Sequence, residues 1–103
     1  MALKWPAKDP EEVLDFPVEF TDWVVSPDVL DSAVCVIESQ VGDDSGNPMV
    51  VDATQFATNI VAVWLSGGVA GVKYVFKVTV TDDHISPSDR TGVRRISLTC
   101  KEK

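Results

Sequence analysis

Histidine is almost missing from this chain: His84 is the only one, and Cys35 and Cys100 are the only cysteines. That scarcity removes most acid–base, nucleophilic and metal chemistry. The cysteines form no C-x-x-C and have no histidine near them, which argues against a zinc site. A triad of Ser86, His84 and Asp83 would require neighbours on one short loop to converge on one point, which such loops rarely achieve. Ser66 has Trp64 where a nucleophile elbow needs glycine. The glycines of 67–71 lack G-x-G-x-x-G spacing and lead into a strand pattern, so no phosphate cradle is expected. The chain is therefore expected to be no enzyme, with no catalytic residue, cofactor or metal.

Basic residues are scarce too, 9 Lys and Arg against 16 Asp and Glu, for a formal net charge of −7. Nucleic-acid affinity comes largely from cations displacing counterions, so no nucleic-acid partner is expected. No apolar run approaches the ~20 residues of a membrane helix. The opening Met1-Ala2-Leu3-Lys4-Trp5-Pro6 leads into charge and not into an apolar segment, so neither a signal peptide nor a membrane partner is expected, and folding is expected in the cytoplasm. Two acidic loops, one with Asp43, Asp44 and Asn47 and the other with Asp82, Asp83 and Asp89, lack EF-hand spacing and read as solvated turns. With nothing marking secretion, both cysteines read as small buried apolar residues within strands and not as a disulfide.

What the chain does have is period-two alternation. In 72–81, Val72, Tyr74, Phe76, Val78 and Val80 share one face, and Lys73, Lys77, Thr79 and Thr81 the other. Val61, Val63 and Leu65 alternate with Ile60, Ala62 and Trp64 in 58–66, so that strand is apolar on both sides and must be central or covered. Ile96, Leu98 and Cys100 line one face of 92–101, and Ala33, Cys35 and Ile37 one face of 31–40. Further strands are expected over 13–25, where Pro17 indicates an edge, and over 49–56. Breakers cluster at 42–48, and Gly68 or Gly71 is expected at positive φ in the turn before the long strand. The fold class is therefore all-β: an immunoglobulin-like β-sandwich of six to seven antiparallel strands. Its domain is 13–103, preceded by an extended N-terminal arm, 1–12, that adds little to the core. In that arm Asp9, Pro10 and Glu12 can cap a single helical turn.

Two segments carry a family resemblance. Asp9, Pro10, Glu12, Val13, Leu14, Asp15 and Phe16 form one, and Val63 through Gly68 with Ala70 and Gly71 the other. Together they resemble small structural proteins of tailed bacteriophages and prophages. The resemblance implies a non-enzymatic virion or assembly protein with an immunoglobulin-like fold, assembled in the host cytoplasm. It also implies other phage structural proteins as partners, and a homo-oligomer or lattice. The longer loop at 82–90 departs from the group's pattern.

The expected contact surface combines Trp5 and Pro6 of the arm with the outward Trp64 and Ile60. Asp82, Asp83, His84 and Arg90 are expected on a second, projecting loop. The alternative is a module for a host-surface glycan, with Trp5, Trp23 or Trp64 as an aromatic platform.

Overall fold

The computed structural model describes residues 3–20, 29–82 and 91–102. It is all-β, with two sheets and no helix among those residues. Strands β1 (Leu3–Lys4), β3 (Leu30–Val41), β6 (Lys73–Asp82) and β7 (Thr91–Thr99) form a four-stranded sheet in the order β1-β7-β6-β3. Strands β2 (Leu14–Glu19), β4 (Val50–Phe56) and β5 (Ile60–Ser66) form a three-stranded sheet in the order β2-β5-β4. Six strands pair antiparallel, whereas β1 pairs parallel with β7.

Alternation places the core. Val61, Val63 and Leu65 of β5 face Tyr74, Phe76, Val78 and Val80 of β6, all completely buried, and Ile96 and Leu98 of β7 join them. β5 is the central strand of its sheet, and its outward Ile60, Ala62 and Trp64 remain half-buried. Pro17 lies in β2, an edge strand, where its missing N–H leaves no ladder bond unmade. The turn before β6 is built on Gly68 and Gly71, at φ 97° and 90°, values that side chains with a Cβ rarely adopt.

The N-terminal residues differ from expectation. They do contribute to the core: Trp5 is only 5% exposed and lies between Phe16 of β2 and Phe76 of β6, with ring centroids 5.2 and 5.3 Å away. Its indole Nε1 donates to the carbonyl of Pro17 at 2.8 Å. The main chain from Leu3 to Lys8 follows β7, with Trp5 N donating to Ser97 O and Lys101 N donating to Lys8 O. Extended prolyl backbone runs readily as an edge strand, and a large aromatic stem fills the open side between the sheets. The single turn at Asp9 forms as the capping pattern implies: Asp9 N donates to Glu12 Oε1, and Glu11 N to Asp9 Oδ1.

Cys35 and Cys100 are buried free thiols. Cys35 pairs with Val78, and Cys100 follows Thr99, which pairs with Lys73. Cys100 N donates to Val72 O, so the cysteines are offset by six residues along β6, about 20 Å, on strands flanking it on opposite sides, far outside disulfide reach.

Candidate interaction surface

The outward side of the three-stranded sheet is a small apolar face carrying acids. Cross-strand pairing sets Trp64 between Asp15 and Ala53, Ala62 between Pro17 and Gln55, and Ile60 beside Glu19. Trp64, Ile60 and Ala62 are half-buried, while Asp15, Pro17 and Glu19 are exposed. The Trp64 indole is steadied by donation from Nε1 to Gln55 Oε1 at 3.2 Å. An open groove of about 690 Å³ runs beside it, lined by Asp15, Pro17, Gln55, Phe56, Ile60 and Ala62. The carboxylates of Asp15 and Glu19 have no hydrogen bond or ion pair among the described residues. β2, β4 and β5 contain no Lys or Arg at all.

The outward side of the four-stranded sheet has the opposite character. Lys73, Lys77 and Arg95 project from β6 and β7, and Lys4 from β1. Between them stand Thr79, Thr81 and Val93, with Val34 and Val36 of β3 exposed at 57% and 49%. Glu38 is paired with Arg95 at 2.8 Å, and that hydrogen bond holds its carboxyl below the usual range. The segregation is visible along the chain once sought: no Lys or Arg occurs between Lys8 and Lys73. Reading strand faces for hydrophobicity alone passes over it.

The expected contact residues do not form one surface. Trp64 and Ile60 share the outward face of β5 as expected. Trp5 lies inside the sandwich, so its indole is used within the chain, and Pro6 is exposed beside β7. Asp82 ends β6 on the inward alternation after Val78 and Val80 and is completely buried, so it is not the surface loop residue expected. Asp83, His84 and Arg90, as well as Trp23, lie outside the described residues.

The two motif segments meet at one end of the sandwich. Lys8, completely buried, donates from Nζ to the carbonyls of Gly67 at 2.7 Å and Asp9 at 2.9 Å. Burial lowers its pKa, against nearby groups that raise it. Asp44 closes the neighbouring loop by accepting from Met49 N, Tyr74 Oη and Gln40 Nε2 at 2.9–3.0 Å. These bonds hold its carboxyl below the ordinary range, with the Met49 bond the largest cause. Desolvation, then Asp44, pushes the Tyr74 phenol far up. This end is thus a structural clasp, and no group of three metal-ligating side chains occurs among the described residues.

No described helix is long and apolar enough to cross a membrane. A family model described as podophage GP4 fiber-tail adaptor protein gp77 matches residues 8–99, and the chain belongs to that family of phage structural proteins. No individual curated protein matches it.

Proposed function

We propose that this member of the fiber-tail adaptor family is a non-enzymatic, immunoglobulin-like interaction module of the virion, and that it docks through the outward face of its three-stranded sheet. The observation that carries the reading is the half-exposed Trp64, Ile60 and Ala62 beside two carboxylates that have no partner among the described residues. A tryptophan on an otherwise regular sheet face supplies contact area at low conformational cost, and indoles are enriched where proteins meet. The family description names fiber and tail as the parts its members join. Two outward faces of different chemistry suit a protein that joins two others.

The test is complementation. Particles assembled with an Ile60→Ser/Trp64→Ser variant, shown by thermal melting to be folded, should lose fibres that particles with the parent chain retain. Full retention would overturn the assignment of this face. Trp64-dependent binding on a glycan array, with fibre retention unchanged, would favour the glycan module instead.

A further inference from the structure

Four strands edge the two sheets, and three of them are blocked against further pairing. β1 is two residues long and is followed by Pro6, β2 contains Pro17 between Asp15 and Glu19, and β4 is bulged between Val51 and Ala53, where Asp52 stands. Shortness, prolines, bulges and charges are what keep an edge from recruiting strands. β3 is different. Its bulges lie between Leu30 and Ser32 and between Ile37 and Ser39, with the charges of Asp31 and Glu38 beside them. The window between, Ser32-Ala33-Val34-Cys35-Val36-Ile37, has no proline, glycine or charge, and Val34, Val36 and Ile37 are β-branched. It is about 20 Å long, the length of an ordinary strand.

The window is also open. Among the described residues β3 pairs only with β6, so along its other side every second residue turns an N–H and a C=O away from the sheet. Val34 and Val36 are exposed on the outward face, and inward Ala33 and Ile37 stay half-buried at the margin of the core. The outward face that a fifth strand would extend is basic. Lys77 neighbours Val36, Lys73 neighbours Val41, and Arg95 lies beyond Lys77 and holds Glu38. An incoming strand therefore needs apolar side chains beside Val34 and Val36 and carboxylates toward Lys73 and Lys77.

We propose that β3 takes an added strand from another polypeptide: an extended segment of about six residues, apolar where it meets Val34 and Val36 and acidic at its ends. Main-chain hydrogen bonds supply the attraction, and alternate side chains the selectivity. The lysines choose an acidic occupant, because like charges opposed across a contact repel. A second copy offering its own β3 would set two lysine-bearing faces side by side. The site lies on the sheet opposite Trp64 and is separate from that docking face, so one chain can hold a partner at each.

Fluorescence anisotropy of the full chain with a labelled synthetic peptide tests this. The peptide alternates valine and threonine over about six residues and has glutamates at both ends. One control has lysines at the ends, and another is N-methylated throughout its central residues. The chain should bind the glutamate-ended peptide about fivefold more tightly than the lysine-ended one, as a few exposed ion pairs allow. N-methylation should abolish binding, because it removes the donors of a strand ladder. Val34→Glu/Val36→Glu changes exposed side chains; once thermal melting shows it folded, it should no longer bind the glutamate-ended peptide. Lys73→Glu/Lys77→Glu should reverse the preference between the two peptides. Ile60→Ser/Trp64→Ser, on the other sheet, should bind as the parent does.

Failure of the glutamate-ended peptide to bind overturns the proposal, as does equal affinity for the lysine-ended peptide or binding that survives N-methylation. Binding lost in Ile60→Ser/Trp64→Ser and kept in Val34→Glu/Val36→Glu would move the site to the Trp64 face and overturn the edge. If no peptide binds, and sedimentation shows a parent chain that self-associates where Val34→Glu/Val36→Glu does not, the edge belongs to a second copy and the acidic partner is wrong.

Discussion

The ammonium of Lys8 donates to the carbonyl of Gly67 at 2.7 Å, across 59 residues of sequence. The same ammonium donates to Asp9 O at 2.9 Å, so Lys8 bridges the start of the first motif segment to the second. The two segments thus meet in one structural joint.

Lys8→Met should destabilise the protein by about 1–3 kcal/mol, because the Gly67 carbonyl loses its donor in a shielded place. The pH dependence has a definite sign. The folded pKa of Lys8 lies below the unfolded value of about 10.4, so the unfolded chain holds the proton more tightly. The contribution of Lys8 to stability therefore rises with pH through the window up to that value. Chemical denaturation of parent and variant between neutral pH and pH ~10 should show this rise in the difference between the two curves.

Removing residues 1–8 should abolish the cooperative fold instead of merely loosening an attachment. Trp5→Ala alone should cost about 3–5 kcal/mol, a large share of the stability of a small domain. The indole touches Phe16 and Phe76 and ties edge strand β2 through the Pro17 carbonyl. Urea titration followed by fluorescence measures the loss, and a truncated chain that melts like the parent would sink the assignment.

Gly68→Ala should be far more damaging than Gly71→Ala. Both glycines have positive φ, so each substitution carries the left-handed strain of about 1–2 kcal/mol. A methyl at Gly71 meets open space, whereas one at Gly68 runs into the Cys100 sulfur and the Met49 side chain. Thermal melts of the two variants should separate clearly, and equal losses would contradict the packing at this joint.

Both thiols should titrate as free in denaturant, and intact mass should be unchanged by reduction. In the native protein Cys35 should alkylate slowly at neutral pH, because burial pushes its thiol up to about 11. Alkylation as fast as that of an unfolded peptide would show that β3 opens.

Asp44→Ala should weaken the protein at neutral pH, with the difference vanishing in acid. The folded carboxyl is depressed by its hydrogen bonds, so its contribution is present above the unfolded pKa of about 3.9 and is lost as pH falls through the folded value. Acid titration of parent and variant should converge below that range.

The sequence by itself determined the all-β class, the inward faces of β5, β6 and β7, the edge position of β2 and the outward direction of Trp64. Each follows from alternation or from a missing N–H, which are local properties of extended chain. Only the tertiary structure decided that Trp5 fills the core, that Lys8 and Asp44 clasp one end, and that Asp82 is buried. Those outcomes depend on which distant segments meet, and alternation gives a residue's side of its strand without saying what lies across from it. The charge on each face was written in the order of the residues, yet it became a property of two surfaces only when β6 and β7 joined one sheet and β2, β4 and β5 the other.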